Sequence, residues 1–600
     1  MIERMKKITL IVSESERAKF ISRLQEAGVV HVKNLQETAC HEIRFLEDKI
    51  NKIDKMLEVL SPYSSNATDG GNFQERVVLE NADKVEEASN EKETLKEEIE
   101  KIRNQTAWFE TWGEFDPEDI EILRQKGVRI KLYRLKKEEF NKISKAQNKA
   151  RGLAKIHFIK KQTGYVYALY VAPRGEDDLP YEETAVPEFS LQKMRQEKEK
   201  KQKRIEEIED FFKEKAKTLK AVKACEKKLK KEHQRLNVKF GMKEEGRFAC
   251  LQGFCPARAL EKIIVMARRH DIGYVTENPK DFEEVPTHIT NPRWLRIINP
   301  VFQFMNTLPG YEEYDISFYF LMFFSLFFAM LIGDAGYGII FLVSTFLLRR
   351  KFKKIPGEPF FLLYVLSVST IAWGAITGTW FGSRAISELP FFNALIVGKF
   401  NSFSAGNQNF LIFICFLIGA IQLTIAHLLR AVRVFNSVKA GAEAGWIMIL
   451  WGMFFAAGKF VLGNAFPSFG MWLFAGGISL VLFCSNTEKG IVKGALSTLA
   501  NLPLSVISSF SDIVSYLRLF AVGYATVIVA ESFNNMALAG GITGAISVAS
   551  AALILFFGHL LNIALGFMAV IVHGVRLNML EFSGHLGMQW TGKKYEPFCE

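Results

Sequence analysis

Asp512–Glu531 reads DIVSYLRLFAVGYATVIVAE, an apolar run with a single arginine, Arg518, near its middle. It is long enough to cross a bilayer. A guanidinium at that depth costs at least about 3 kcal/mol, and it cannot shed its proton. Such a residue needs an anionic partner, water or a structural role, and the expectation is a carboxylate on another subunit. Ser508, Ser511, Asp512 and Ser515 fall on the same helical face as Arg518. A second long run, Gly544–Arg576, carries His559, Asn562, Gly566, Ala569, His573 and Arg576 at alternating steps of three and four, again one face. Two polar stripes meeting a third surface would wet a path. A lone membrane His or Asn more often bonds helix to helix, and Arg576, nearer a helix end, can snorkel. Arg518 is deeper and permanently charged.

The chain has 600 residues, 49% hydrophobic and 24% charged, with a net charge of +11. Residues 1–300 are rich in Lys and Glu, whereas 315–585 are dominated by Phe, Leu, Ile, Ala and Gly. The N-terminal MIERMKKITLIVSESERAKF lacks a continuous apolar core, so no secretory signal is read and the first half is expected in the cytoplasm. Of the seven cysteines only Cys250 and Cys255 are close, without two further ligands nearby, and they read as reduced and structural. The basic balance fits the positive-inside rule and solvated coiled-coil faces, so no nucleic-acid partner is expected. No phosphate-binding loop, dinucleotide fingerprint, H-E-x-x-H or G-x-S-x-G occurs in a fitting context. The chain is expected to hold no cofactor or metal and to perform no bond chemistry alone.

In the first half, residues 6–12 read as a strand, Glu14–Ala27 as a helix and Val29–Val32 as a strand. Leu46, Ile50, Ile53, Leu57 and Leu60 begin a coiled-coil seam. After the turn-rich SPYSSNATDGGN it resumes at Ala88, Leu95, Ile99, Ile102 and Phe109. Strands at Val128–Tyr133 and Tyr165–Val171 form a lobe, with Pro180 and Pro187 at its exit, and one long helix returns from Leu191 to about Leu236. The base is completed by strands Phe248–Phe254 and Gly273–Thr276 around a helix, Ala257–Arg269. The expected fold is mainly α: an antiparallel cytoplasmic coiled coil with two small α/β lobes over residues 1–310, then a bundle of eight transmembrane helices, two of them long and tilted, over 311–600.

The membrane count rests on Tyr314–Arg350, about 37 residues. One helix of that length would measure about 55 Å against a hydrocarbon core of about 30 Å, so Gly333–Gly338 (GDAGYG) predicts a break and a two-helix hairpin. Spans follow at 361–383, 409–429, 443–463, 470–485, from Leu504, and from Gly544. Basic residues at Arg349–Lys354, Arg430, Arg433, Lys439, Lys489, Lys493, Lys593 and Lys594 then fall on one side throughout, which places both termini in the cytoplasm.

Ser515–Ala521 (SYLRLFA) resembles the arginine helix of the membrane stator subunit, called subunit a or subunit I, of V-type and archaeal-type rotary ATPases. GDAGYG, Thr377–Gly382 (TGTWFG), His573–Asn578 (HGVRLN) with Glu581-Phe582, Tyr595–Phe598 (YEPF) and Trp112–Pro117 (WGEFDP) are similar to further signatures of that family, so the resemblance runs the length of the chain. It implies an ion-translocating stator with Arg518 and Arg576 as its essential cations, Arg518 standing between two half-channels and facing the carboxylates of a proteolipid (c or K) ring. It implies peripheral-stalk partners of E/G type on the cytoplasmic lobes, a central-stalk socket subunit of d/C type, and surrounding lipid. The family's eukaryotic pattern has a glutamate where Gly566 stands and a histidine where Thr526 stands. The ion-pathway candidates are therefore Ser511, Asp512, Ser515, Glu531, His559, Asn562, His573 and Glu581, with Asp512 and Glu531 chosen by depth on opposite sides. Compact loops favour a prokaryotic inner membrane. The competing expectations are a stand-alone secondary transporter, which would call for repeated halves that the sequence does not show, and a membrane scaffold whose arginine only holds helices together.

Overall fold

The computed structural model describes residues 2–36, 38, 40–63, 74–149, 154–162, 165–173, 180–186, 189–353, 355–485, 491–539 and 544–599. Pro187, Lys354, Lys489 and most of SPYSSNATDGGN lie outside them. The chain divides into two compact units, one of residues 12–23 and 34–251, the other of 1–11, 24–33 and 252–599. The boundary expected at 310 falls inside the second.

The first elements are β1 (Met5–Ser13), α1 (Arg17–Ala27) and β2 (His31–Lys33), followed by the rod helices α2 (His41–Leu60) and α3 (Glu75–Trp112). A lobe follows of α4 (Pro117–Gln125), β3 (Val128–Lys136), α5 (Lys137–Lys149), β4 (Lys155–Gln162) and β5 (Tyr165–Pro173), its antiparallel sheet ordered β3-β5-β4. Asp116 accepts from the Glu118 N–H at 3.2 Å and Pro117 follows it, a good start for α4. The rod returns as α6 (Leu191–Ala216) and α7 (Leu219–Gly241). The expected single return helix is thus interrupted at Lys217–Thr218, where the Thr218 hydroxyl donates to the Lys215 carbonyl at 2.8 Å.

The rod is antiparallel as expected: Lys201 pairs with Glu98 and Lys92 with Glu209, the numbers running in opposite senses. One part differs. Lys49 pairs with Glu75, Lys52 with Asp83 and Lys55 with Glu86, so α3 starts beside α2 and runs parallel to it. The two seam segments are neighbours rather than one continued stripe. Their shared core joins Leu46, Ile53 and Leu60 to Val78 and Val85, with Phe212 and Leu229 from the returning helices. The exposed pairs Lys52–Asp83 and Lys55–Glu86 are worth less than about 1 kcal/mol each, and the buried apolar seam carries the stability.

In the second unit, β7 (Phe248–Pro256), which follows β6 (Lys243–Glu245), lies between β2 and β1, and β8 (Gly273–Glu277), after α8 (Leu260–Arg269), pairs antiparallel with β1. β1 alternates, burying Met5, Ile8, Leu10 and Val12. Beyond β9 (Pro286–Thr287) and α9 (Asn299–Met305) come the apolar helices α10 (Ser317–Ile332), α11 (Ala335–Lys351) and α12 (Gly357–Thr377), then two short helices, α13 (Arg384–Ser387) and α14 (Pro390–Asn393). The bundle is completed by α15 (Gln408–Arg433), α16 (Lys439–Leu462), α17 (Ser468–Cys484), α18 (Ile491–Ser515), α19 (Leu517–Ala539) and α20 (Ala545–Ala569), with α21 (Ser583–Leu586) near the end. Residues 593–599 return to the sheet. β10 (Lys593–Lys594) pairs with β9, the Tyr595 hydroxyl donates to the Val29 carbonyl at 2.7 Å, and the Phe598 N–H donates to the Val30 carbonyl at 2.8 Å.

The predicted hairpin is present: α10 and α11 are bent by 119° at Gly333-Asp334. Among the described residues, five helical stretches are long and apolar enough to span a membrane singly. The bent pair, taken as one span, brings the number to six against the eight crossings expected, and α17, at 17 residues, is a shorter apolar helix. The chain is a multi-pass membrane protein. Its last two stretches, 496–539 and 545–586, run to 44 and 42 residues. They are interrupted rather than straight: the first breaks at Tyr516, and the second winds as a π-helix over Val570–Gly574 and again over Leu577–Phe582.

Candidate functional site

Arg518 lies in the first turn of α19, directly after the break. Tyr516 occupies the break, fully buried, and its hydroxyl donates to Gln422 Oε1 on α15 at 2.8 Å. Gln422 in turn donates to Asn578 at 2.9 Å, so a buried amide chain ties the break to the π-helical stretch. The free end of α18 faces Arg518, whose Nε donates to the Ser515 carbonyl at 3.0 Å and whose terminal nitrogen donates to Ser515 Oγ at 2.5 Å. The same nitrogen lies 2.8 Å from Glu581 Oε1. Glu581 is 4% exposed and its other oxygen, Oε2, has no hydrogen-bond partner among the described residues. Arg576 Nε stands 3.9 Å from the same carboxylate on a half-exposed side chain. Glu581 lies within the second π-helical stretch and points inward, towards Arg518, whereas Arg576, between the two stretches, is exposed.

Two further clusters flank the arginine. On the first, Asp512 Oδ2 is 3.0 Å from His585 Nε2, His585 Nδ1 is 2.9 Å from His427 Nε2, and His427 Nδ1 is 2.8 Å from Glu443 Oε2. Arg430, beside the basic loop after α15, ends the series at 3.1 Å from Glu443. His427 and Glu443 are buried, so four titratable side chains from α18, α21, α15 and α16 form one unbroken hydrogen-bonded line.

The second cluster lies towards the other end of α19 and rests on the hairpin break. Asp334 caps α11 and accepts from the N–H groups of Gly336 (2.8 Å), Tyr337 (3.3 Å), Phe381 (2.9 Å) and Gly382 (2.8 Å). GDAGYG and TGTWFG are therefore two halves of one clasp. Gly333 and Gly382 adopt φ of +68° and +62°, which favours glycine, and a Cβ on Gly382 would strike Ala530 of α19. The clasp sets Arg384 2.7 Å from Glu531, and the Phe381 carbonyl accepts from Asn534 at 2.7 Å. His559 bridges the Tyr337 hydroxyl (2.7 Å) and Asn534 (3.2 Å), while Asn562 donates to Tyr337 and to the Thr526 carbonyl.

A V-type ATP synthase subunit I from Borreliella burgdorferi is 30% identical to the chain over 626 aligned residues, covering 100% of this chain and 99% of that protein. The chain belongs to the subunit I family of V-type and A-type ATP synthases. V-type ATP synthase subunit I 1 of Treponema pallidum is 29% identical with both chains fully covered. A-type subunit I of Methanocaldococcus jannaschii is 26% identical over 58% of this chain and 54% of its own. The crystal structure of the cytoplasmic N-terminal domain of a subunit I, homologous to subunit a of V-ATPase, aligns with 45% of this chain and 100% of its own at 18% identity, with a TM-score of 0.22. No family model matches the chain.

Of the subunit I residues singled out by sequence, the structure brings Arg518, Ser515, Glu581 and, more loosely, Arg576 together. It links Asp512 to His585, and gathers Glu531, His559 and Asn562 around the clasp. Ser511 is exposed, and His573 Nδ1 is buried without a hydrogen-bond partner among the described residues. Sequence reasoning missed His427, Glu443, His585, Tyr337 and Arg384. His427 and Glu443 sit near the same-side ends of consecutive spans, next to the basic loop, and that coincidence was the available signal.

Proposed function

We propose that this subunit I is the ion-translocating stator of a prokaryotic V/A-type rotary ATPase, with Arg518 facing the carboxylates of a proteolipid ring between two half-channels. The observation that carries this reading is the single permanent cation at a helix break with separate polar clusters to either side. A ring carboxylate passing Arg518 is favoured in its ion-free form, because an opposite charge stabilises the anion. The Asp512–His585–His427–Glu443 line serves as the path on the basic-loop side, and Glu531, His559 and Asn562 serve the other. Glu581 acts as a resident counter-ion: it holds the guanidinium while no ring carboxylate is opposite and yields it when one arrives. Arg576 supports the same carboxylate. The cytoplasmic rod and its lobes anchor peripheral stalks of E/G type, the base seats a d/C-type socket subunit, and both termini lie in the cytoplasm.

The Arg518–Glu581 pair also favours a second reading, in which the arginine only fastens α19 to the π-helical segment and the chain is a scaffold. Arg518→Ala in vesicles carrying the whole complex separates the two. The stator reading expects an assembled complex that hydrolyses ATP without pumping. Pumping near the wild-type rate would falsify it, and loss of assembly in both Arg518→Ala and Arg518→Lys would favour the scaffold.

A further inference from the structure

α11 and α12 pack backbone to backbone at one end, where a Cβ on Gly338 would lie 2.9 Å from the Ile371 nitrogen. At the other end they part around a groove of about 610 Å³. One wall is a single stripe of α11 that changes character along its length. Leu342, Val343 and Phe346 come first, then Arg349, Arg350 and, just past the helix, Lys353. Tyr364 of α12 forms the facing wall. From Leu342 to Arg350 the stripe measures about 12 Å at the α-helical rise. Val343 and Phe346 are exposed on a helix of the membrane bundle, so the apolar part of the groove faces hydrocarbon.

The guanidinium groups are held by stacking rather than by ion pairs. Arg349 lies 4.7 Å from the Phe361 ring and 5.9 Å from Tyr364, and Arg350 lies 4.4 Å from Phe346. Among the described residues, none of Arg349, Arg350, Lys351 and Lys353 has a carboxylate within ion-pair distance. Glu358, in the first turn of α12, does not line the groove. A stacked guanidinium keeps its N–H edge free, and that planar fork fits a phosphodiester in bidentate fashion.

We propose that this groove is a binding site for an acidic phospholipid, with the phosphate between Arg349 and Arg350 and an acyl chain laid along Phe346, Val343 and Leu342. The amphipathic stripe matches the axis of such a lipid, and basic pockets between membrane helices favour acidic headgroups. An acidic peptide would satisfy the cations and leave the apolar stripe unused. The site differs from the general attraction of a basic loop for an anionic leaflet, which lysine provides as well as arginine. It rests only on the helices being membrane-embedded and is independent of the role of Arg518.

The test uses the whole complex in nanodiscs of phosphatidylcholine doped with phosphatidylglycerol bearing a photoreactive acyl chain. Wild type should be labelled within residues 342–364. The label should be competed by plain phosphatidylglycerol, and neither by phosphatidylcholine nor by inorganic phosphate. Arg349→Lys with Arg350→Lys keeps the charge that fixes topology, so the protein should assemble normally. Its labelling should nevertheless fall about tenfold as the bidentate contacts are lost, and Arg349→Ala with Arg350→Ala should fall at least as far. Undiminished labelling of the lysine pair, or equal competition by phosphatidylcholine, overturns the site. Competition by inorganic phosphate overturns its assignment to a lipid.

Discussion

At the scale of single residues, the carboxylate of Glu581 bears most on how Arg518 can act. It is buried, its Oε1 holds the arginine, and its Oε2 has no hydrogen-bond partner among the described residues. Removing one partner of a buried ion pair leaves the other uncompensated, at about 3–5 kcal/mol. Glu581→Gln should therefore lower the melting temperature of the purified subunit more than Arg518→Gln does, because the guanidinium it leaves behind keeps its charge whatever its surroundings. In the complex, Glu581→Gln should also slow pumping, since the bare guanidinium would hold each ring carboxylate more tightly. Unchanged pumping would remove the counter-ion role while leaving that of Arg518 intact. The relay makes a separate claim. His585→Phe interrupts the line between Asp512 and His427, and on the proposed role ATP-driven pumping should drop by about a hundredfold or more, the range of a lost proton-transfer group, with assembly retained.

At the scale of elements, the clasp between the hairpin break and the turn after α12 positions Glu531 and His559, so its integrity should be felt at both. Asp334→Ala strands four N–H donors around the buried carboxylate position, and a loss of about 3 kcal/mol or more is expected from their desolvation. Gly382→Val adds strain at positive φ and a clash with Ala530, and should cost about 2 kcal/mol or more. Thermal melts of the purified subunit measure both. The break itself was legible in the sequence, because an unbroken 37-residue helix does not fit a bilayer and GDAGYG supplies a cap and a turn. Arg518 was legible for a similar reason: a permanent charge in an apolar run has few innocent explanations. The break at Tyr516 was not, since SYLRLFA carries neither proline nor glycine and only a tertiary bond to Gln422 marks the place. Nor were the π-turns, because a shift in winding leaves no trace in spacing alone; the stripe ending at Arg576 therefore read as one face, whereas the structure turns Arg576 outward. The parallel start of α3 beside α2 escaped for a related reason. Apolar residues at heptad spacing show that a seam exists without showing which helix fills it.

At the scale of the whole molecule, the C-terminal tail reaches the N-terminal sheet through a titratable contact. His31 Nδ1 lies 3.1 Å from the Glu596 N–H and 3.0 Å from its carbonyl. Burial, the larger influence, pulls the His31 pKa below its usual value, and the backbone contact with Glu596 partly opposes it. The folded form thus favours neutral imidazole. Its contribution is fully present above the ordinary histidine pKa of about 6.5 and is lost as pH falls below it, where the unfolded chain binds the proton more readily. The protection of the Phe598 and Tyr595 amides against hydrogen exchange, taken relative to the intrinsic exchange rate at each pH, should fall on acidification from pH 7.5 to 5.5, about one unit to either side of that value, and His31→Phe should abolish the dependence. A tail equally protected at both pH values would remove His31 as the cause.

That tail also fixes an order of events during biosynthesis. Glu596 leaves the ribosome 565 residues after His31, so the outer edge of the N-terminal sheet stays open until every membrane helix has been translated. A chain clipped within the bundle would lack Tyr595–Phe598 and leave the Val29–His31 strand edge without these contacts. Such an edge invites pairing with other chains, so loss of a short segment after the bundle would be felt as association at the other end of the chain.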